Sequence, residues 1–249
     1  MTRLIWVKVL MAVAQNHGSI FNRARRSQSV QMQPRMAAVA DQAASMRQLS
    51  AAELSVAPPI PKSVKVELHS RCNLGCGFCA AGRRPRASST MDLRVFSRIA
   101  RELGQFGVER LGLFYMNEPF ADERLPDAIR IAKNDSGIPY VFLTSNGLEA
   151  SPERLRACFE AGLDSLKFAL NFAGPAQLGA SCPDSTHAFH EILKNVREAR
   201  RVRDEVRQDT GQYCRLSASS LAYDPEQCRR MRPVIEPIAG QVDEHYWLP

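Results

Sequence analysis

Long hydrophobic runs are missing from this sequence of 249 residues. The apolar stretch at 4–14 follows Arg3 in the manner of a signal peptide, but Lys8 interrupts it and no small-residue cleavage site stands clearly behind it. The stretch is also far shorter than the ~20 apolar residues that a membrane-spanning helix requires. The sequence therefore predicts a cytoplasmic protein that has no membrane segment.

Acidic residues are scarce at positions 1–60, which hold seven Lys or Arg and only two Asp or Glu. This basic head, residues 1–60, suggests one hypothesis, a zinc-dependent nucleic-acid-binding module. Aromatic residues are not interleaved with the basic ones, however, so a solvated basic extension is the simpler interpretation. We predict no contact with nucleic acid.

Strand signals are also absent from this head, although an Ala-rich stretch at 36–54 favours a helix. The head ends in Pro-Pro-Ile-Pro at 58–61, whose fixed backbone angles favour an extended linker. We therefore predict an irregular or partly helical N-terminal extension at 1–61 and a folded domain at 62–249.

Short β-branched or aromatic runs alternate with longer helical patterns after this boundary, which is typical of βα units and a parallel sheet. One predicted helix has Ser151 as its N-cap and ends at Gly162. The sequence predicts an α/β fold. Strands are predicted at 63–69, 110–116, 140–145, 165–171, 213–219 and 242–247, and the other helices at 92–104, 125–134, 185–208 and 225–238.

The carboxyl ends of parallel strands are the edge at which α/β folds build their sites. Three cysteines, Cys72, Cys76 and Cys79, follow the first predicted strand in a C-x3-C-x2-C spacing. The chain has an odd total of seven cysteines, and this crowding favours metal binding in a reducing compartment over a disulfide framework. A structural zinc ion usually takes four closed ligands, whereas three thiolates leave one coordination position open for chemistry.

The remaining cysteines stand singly in the sequence, and we interpret each as a small buried side chain. One of them, Cys182, lies in a predicted loop after a strand. The four residues are Cys158, Cys182, Cys214 and Cys228.

With an aromatic residue before its last cysteine, the cysteine loop resembles the C-x3-C-x-aromatic-C motif of the radical S-adenosylmethionine (SAM) enzymes. The resemblance covers about 62–249 and implies a partial (β/α)6 barrel of the TIM type with parallel strands. It implies that Cys72, Cys76 and Cys79 hold three irons of a 4Fe-4S cluster, while SAM chelates the fourth iron through its amino and carboxylate groups. It also places Phe78 near the adenine of SAM.

Segments at later strand ends extend this resemblance. The sequence Met-Asn-Glu-Pro at 116–119 is similar to the family's Gly-Gly-Glu-Pro motif, which receives the amino group of SAM. The Glu and Pro match and the two glycines do not, so Asn117 and Glu118 are the expected contacts. Thr-Ser-Asn-Gly at 144–147 resembles the family's Thr-Asn-Gly turn and is functional or purely architectural.

Two further strand ends supply expected contacts of SAM. The resemblance places Asn171 beside the ribose or the methionine carboxylate, and a simple strand-ending Asn is the alternative. Ser219, on the fifth predicted strand, is also expected to contact SAM, and Ser217 and Ser220 are the alternatives.

The resemblance implies an enzyme that cleaves SAM reductively and uses the resulting 5'-deoxyadenosyl radical to abstract hydrogen from a substrate. No side chain is assigned as a catalytic acid or base. The chain is closest in outline to peptide- and protein-modifying members, whose C-terminal Cys-rich (SPASM-type) domain does not occur in it. A peptide or protein substrate and an electron donor such as flavodoxin or ferredoxin are expected. The alternative is a truncated iron-sulfur-binding domain without independent catalytic activity.

Overall fold

The computed structural model describes residues 60–83, 87–182 and 185–248. The extension predicted at 1–61, with its helix at 36–54, lies almost entirely outside the described residues, so the boundary near residue 61 stays a prediction. No helix within the described ranges is both long and apolar enough to cross a membrane.

Six parallel strands form one sheet in the order of the sequence, β1-β2-β3-β4-β5-β6. Helices lie between consecutive strands, which confirms the predicted α/β fold and its partial barrel of parallel strands. The strands are β1 (Ser63–Lys65), β2 (Arg110–Gly112), β3 (Tyr140–Ser145), β4 (Ser165–Ala169), β5 (Arg215–Leu221) and β6 (Glu244–Leu248).

Seven α-helices are present in the described part of the chain, with a 3-10 turn at Pro119–Ala121 and a π-helical turn at Ile131–Asp135. The helices are α1 (Ala80–Arg83), α2 (Leu93–Gln105), α3 (Leu125–Arg130), α4 (Pro152–Glu160), α5 (Pro175–Ser181), α6 (Ala188–Thr210) and α7 (Pro225–Ala239).

Side-chain caps begin three of these helices. The side chain of Ser151 accepts a hydrogen bond from Arg154 N at the start of α4, as the sequence predicts. Asp92 and Asp224 cap α2 and α7 in the same way. Each cap satisfies an N–H group that the first turn of a helix leaves without a partner, so the helix boundaries are set locally.

The first two strands are shorter than predicted, because the chain leaves the sheet after Lys65 and Gly112 instead of at 69 and 116. Past β1, His69 pairs with Thr90 in an isolated antiparallel bridge. The fifth and sixth strands each begin two residues later than predicted. Helix α5 occupies a segment that we predict as a loop, although Pro175 at its first turn was an available signal.

The hydrophobic core lies between the outer face of the sheet and the helices. Alternate residues of the central strands, such as Val141 and Leu143 in β3 and Phe168 in β4, are fully buried against it. The intervening side chains, which face the opposite side of the sheet, are only half-buried. This layering leaves the carboxyl edge of the sheet free to carry a site.

Candidate active site

A cavity of about 210 Å³ opens at the carboxyl edge of the sheet. The loops after the first four strands line it, and apolar side chains of α6 and α7 close one side. It brings together every expected site residue except Ser219. Those lining the cavity are Cys72, Cys76, Phe78, Cys79, Asn117, Glu118 and Asn171.

The three cysteines present their side chains on one wall of this cavity. Cys72 is exposed, and Cys76 and Cys79 are half-buried. A tight turn joins the last two, with Cys79 N donating a hydrogen bond to Cys76 O at 2.9 Å. Burial raises the pKa of the half-buried Cys76 thiol, so a metal must displace its proton to bind.

A fourth cysteine, Cys182, lies against this group. It is fully buried at the end of α5, and its Sγ is 3.2 Å from the Sγ of Cys76. A backbone hydrogen bond of 2.9 Å from Gly77 N to Ser181 O joins the two segments. Its place in a predicted post-strand loop was the only signal in the sequence that set it apart from the other single cysteines.

Glu118 is an almost fully buried carboxylate in the cavity wall. Its Oε1 accepts hydrogen bonds from Ser145 Oγ at 2.7 Å and Phe120 N at 3.1 Å, and its Oε2 accepts one from Asn146 N at 2.8 Å. Burial raises its pKa to about 7, although these hydrogen bonds act in the opposite direction. A cation beside it would favour the charged carboxylate.

The two other polar expected residues in the wall, Asn117 and Asn171, use their side-chain oxygens to hold backbone. Asn117 Oδ1 accepts from Tyr115 N at 3.1 Å, which orders the loop after β2. Asn171 Oδ1 accepts from Leu221 N, also at 3.1 Å, and so ties the end of β4 to the end of β5. Ser219 is buried within β5, and its carbonyl accepts a hydrogen bond from Leu170 N.

The turn after β3 supports the cysteine loop. Asn146 Nδ2 donates to Asn73 Oδ1 at 2.7 Å, and Asn73 Nδ2 in turn donates to Glu149 Oε1 at 3.0 Å. Asn146 Nδ2 also lies 4.0 Å from Cys72 Sγ. These contacts connect the loop that follows β1 with the loop that follows β3.

An aromatic group stands beside the cysteines. The ring of Phe78 is 6.0 Å, centroid to centroid, from the rings of both Phe172 and Tyr223. With 43% of its surface exposed, Phe78 is an open aromatic face on which a planar ligand can pack.

The radical SAM superfamily is the family whose sequence profile matches this chain, over residues 66–206 and thus more than half of its length. The chain belongs to the radical SAM superfamily. Enzymes of this superfamily use a 4Fe-4S cluster and SAM, and they need a reductant. The chain accordingly belongs to a family of iron-sulfur, SAM-dependent enzymes.

Curated relatives of this chain share the name GTP 3',8-cyclase. The protein of Chlorobaculum tepidum is 32% identical over 108 residues, which cover 43% of this chain and 32% of the relative. That of Synechococcus sp. (strain CC9902) is 30% identical over 137 residues, which cover 53% and 39% respectively. The matched segments thus span about a third of the length of these relatives.

Solved structures of low sequence identity share the fold. Methylornithine synthase (PylB) has a TM-score of 0.56 at 14% identity, over 75% of this chain and 52% of that one. Native anSMEcpe with bound AdoMet and Cp18Cys peptide has a TM-score of 0.53 at 12% identity, over 76% and 50%. Streptococcus suis SuiB also has a TM-score of 0.53, at 14% identity over 77% and 50%.

The cavity residues of this radical SAM protein fit a cluster better than a single metal ion. No three His, Cys, Asp or Glu side chains of the described residues are grouped tightly enough to hold one ion. A cluster instead offers a separate iron to each thiolate, so the thiols need not converge on one point. The donor set therefore suits the 4Fe-4S cluster of the family, in which three thiolates leave one iron open.

Proposed function

We propose that Cys72, Cys76 and Cys79 bind three irons of a 4Fe-4S cluster in the cavity, and that SAM binds the remaining iron. The supporting observation is that three thiols with the family's spacing line a single cavity at the carboxyl edge of the sheet. The segment that carries them lies within the part of the chain that matches the superfamily.

Glu118 is the proposed partner of the amino group of SAM. Its carboxyl group lies in the cavity wall, and a carboxylate oxygen accepts the N–H groups that an iron-bound amine still carries. Asn117 orders the adjoining backbone, whose carbonyl groups accept the remaining protons. Phe78 offers its exposed face to the adenine, and Asn171 lies at the strand end expected to face the ribose or the carboxylate. A role for Ser219, which is buried outside the cavity lining, would act through the backbone of β5.

When bound, the reduced cluster and SAM supply a 5'-deoxyadenosyl radical, which abstracts a hydrogen atom from the substrate. The chain binds and orients SAM and excludes water from the reacting atoms. Apolar side chains such as Phe114, Leu170 and Ile192 serve the last role, because they line the cavity. A donor such as flavodoxin or ferredoxin is the proposed source of the electron.

The domain that carries this chemistry is proposed to span residues 62–249, with the basic extension before it. Two substrate classes are proposed for it. A nucleotide is supported by the curated relatives named GTP 3',8-cyclase. A peptide or protein is the second class, supported by the general outline of the chain and by a fold likeness to an enzyme solved with a bound peptide.

Anaerobic reconstitution tests the cluster and the cleavage of SAM. We expect about four irons per chain, as a single 4Fe-4S cluster requires, and 5'-deoxyadenosine after addition of SAM and dithionite. Replacing any of Cys72, Cys76 and Cys79 by Ala should abolish both, whereas Cys158→Ala, at a buried cysteine away from the cavity, should preserve both. A cluster without product would support the alternative of a binding domain without turnover. Zinc in place of iron would contradict both hypotheses.

The substrate classes are separated by adding GTP or a peptide mixture to the same assay. A substrate should raise the yield of 5'-deoxyadenosine above the level without substrate and should appear as a new product by mass spectrometry. A rise with GTP alone would support the nucleotide class, and a rise with peptides alone would support the peptide class.

A further inference from the structure

Cys182 lies at the end of α5, a short helix whose position depends on the tertiary structure. Its own N–H donates to Leu178 O at 2.7 Å, so the backbone of the residue is part of the last helical turn. Its side chain is fully buried. The superfamily's spacing uses three cysteines, and the proposed cluster therefore needs no ligand from this helix.

The thiol of Cys182 nevertheless contacts one of the proposed cluster ligands. The two Sγ atoms of Cys76 and Cys182 are 3.2 Å apart, and the hydrogen bond from Gly77 N to Ser181 O holds their neighbouring backbones together. A disulfide has an S–S distance of about 2.05 Å, so an approach of about 1 Å would suffice to form the bond. Two thiolates that bind separate irons of a cluster would stand further apart than these atoms do.

We propose that Cys182 is a reserve thiol of the cluster site, which forms a disulfide with Cys76 when an oxidant removes the cluster. The inference rests on the proposed function, because Cys76 must first be a cluster ligand. It assigns to Cys182 a role beside the cluster and not within it. The disulfide would hold Cys76 in a form from which the cluster can be rebuilt.

Hydrogen peroxide can oxidise the thiols of Cys76 and Cys182 to a disulfide in two steps. Once the cluster has left and the Cys76 sulfur has taken a proton from water, this thiol, which is less buried than that of Cys182, takes one oxygen atom from the peroxide and becomes a sulfenic acid, with release of one water. The sulfur of Cys182 then attacks the sulfur of Cys76, the S–S bond forms and a second water leaves. The two thiols together lose two electrons, and the peroxide gains them.

This reaction competes with an irreversible one. A sulfenic acid that meets no thiol is oxidised further to a sulfinic acid, which small thiols do not reduce. A disulfide, in contrast, is opened by thiol-disulfide exchange. The position of Cys182 therefore determines whether Cys76 can return to the cluster after oxidation.

Mass spectrometry of the oxidised holoenzyme tests the proposal. The reconstituted protein is treated with hydrogen peroxide until the cluster absorbance is lost, alkylated, and digested with trypsin without reduction. Trypsin should release Cys76 in peptide 72–83, together with Cys72 and Cys79, and Cys182 in peptide 168–194. We expect these two peptides to be cross-linked through Cys76 and Cys182, with Cys72 and Cys79 unlinked to Cys182. A free, alkylated Cys182, or a cross-link from it to Cys72 or Cys79, would overturn the proposal.

Two variants provide a second readout. In Cys182→Ser the cross-link should be absent and sulfinic acid at Cys76 should rise several-fold. After treatment with dithiothreitol, iron and sulfide, this variant should regain less iron than the wild type. Cys158→Ser, another buried cysteine, should behave as the wild type does. Equal sulfinic acid and equal iron recovery in all three proteins would also contradict the proposal.

Iron analysis before oxidation separates this inference from the proposed function. If Cys76→Ser still binds about four irons, the proposed ligand assignment fails. If that variant loses iron but Cys182 stays free in the oxidised wild type, only the reserve-thiol proposal fails.

Discussion

Glu118 combines a buried position with hydrogen bonds that favour its charge. The hydrogen bonds from Ser145, Asn146 and Phe120 stabilise the carboxylate, whereas burial favours the neutral acid. Burial dominates and raises the pKa to about 7. Near neutral pH the residue is therefore divided between its two forms, and a bound cation would shift it to the carboxylate.

The affinity for SAM should depend on pH through this residue. If only the ionised carboxylate accepts from the iron-bound amine of SAM, ionisation of Glu118 alone should raise the affinity of the wild type about fivefold from pH 6 to pH 7, as the ionised fraction rises through a pKa of about 7. Binding to iron also requires the amino group of SAM, whose pKa is about 7.7 to 8.0, to lose its proton, and this raises the affinity of the wild type and of its variants equally. Equilibrium dialysis of the anaerobic holoenzyme measures the affinity.

A charge-removing variant identifies the group responsible. Glu118→Gln should bind SAM about tenfold more weakly at pH 7.5, by the loss of a charge-assisted hydrogen bond, and its affinity should rise about fivefold less than that of the wild type between pH 6 and pH 7. Glu160→Gln, at an exposed site on α4, should keep the wild-type profile. An unchanged pH profile in Glu118→Gln would refute the assignment.

The turn after β3 influences the proposed cluster through a side chain that binds no iron. Asn146 holds Asn73, which lies directly after Cys72 in the sequence. Asn146→Ala should therefore let the cysteine loop open more often and should speed loss of the cluster in air several-fold. The decay of the cluster absorbance measures this rate.

A matched asparagine provides the control for that measurement. Asn134 is exposed in the π-helical turn after α3, and Asn134→Ala should lose the cluster at the wild-type rate. Equal rates in all three proteins would show that the contact between Asn146 and Asn73 does not hold the loop.

At the scale of elements, two aspartates at the amino edge of the sheet each accept a hydrogen bond from the backbone of a neighbouring strand. Asp164, just before β4, accepts a hydrogen bond from Val141 N in β3 at 2.7 Å. Asp243, just before β6, accepts one from Leu216 N in β5 at 2.8 Å. Asp164 also forms an ion pair with Lys133, and Asp243 forms one with Arg203. Each carboxylate therefore connects a strand to a helical segment.

Asp243→Ala should destabilise the fold by about 2 to 3 kcal/mol, because Leu216 N and the buried Arg203 both lose a charged partner. Urea denaturation at pH 7 measures the change. Asp127→Ala, which removes an exposed pair with Arg130, should cost less than about 0.5 kcal/mol. Similar losses in the two variants would contradict this account of the strand contact.

The contribution of Asp243 to the stability of the fold should depend on pH and should decrease at acidic pH. Burial acts to raise the pKa of this carboxyl, but the hydrogen bonds from Leu216 N and Arg203 outweigh it and hold the pKa below its ordinary value. The charged carboxylate therefore stabilises the fold in full above about pH 4, the pKa of an Asp side chain in the unfolded chain. This stabilisation should become smaller as the pH falls below that value. The difference in free energy of unfolding between the wild type and Asp243→Ala should become smaller with it.

At the scale of the whole molecule, the described strands form an open sheet, in which β1 and β6 each pair with one neighbour. The strand ends nevertheless curve around one cavity, to which loops after the first four strands contribute. The proposed site therefore depends on the sheet as a unit and not on any single loop.

The proposed domain boundary leads to a prediction for a shortened chain. A variant that begins at Ile60 should fold, bind about four irons after reconstitution and yield 5'-deoxyadenosine as the full chain does, because the cavity is lined by residues after this point. Circular dichroism, iron analysis and the cleavage assay check these outcomes. Loss of the cluster in a folded variant would show that the basic extension takes part in the site.

Most of the fold follows from patterns that are local in the sequence. Short β-branched or aromatic runs between helical patterns predict the number and parallel direction of the six strands, the family resemblance implies their barrel arrangement, and Ser151 and Gly162 mark the ends of α4 correctly. The lengths of β1 and β2 were wrong, because their residues after Lys65 and Gly112 are as β-prone as those before. Where a strand leaves its neighbour depends on the path of the following loop, which local propensity does not describe.

Residue types at short spacing are enough to establish the α/β class, the cysteine motif and thereby the family. Which distant residues meet depends on the tertiary structure. It brings Cys182 to Cys76 across more than a hundred residues and surrounds Glu118 with donors from the turn after β3. Such contacts come from the packing of strands and helices against one core, and packing joins residues irrespective of their separation along the chain.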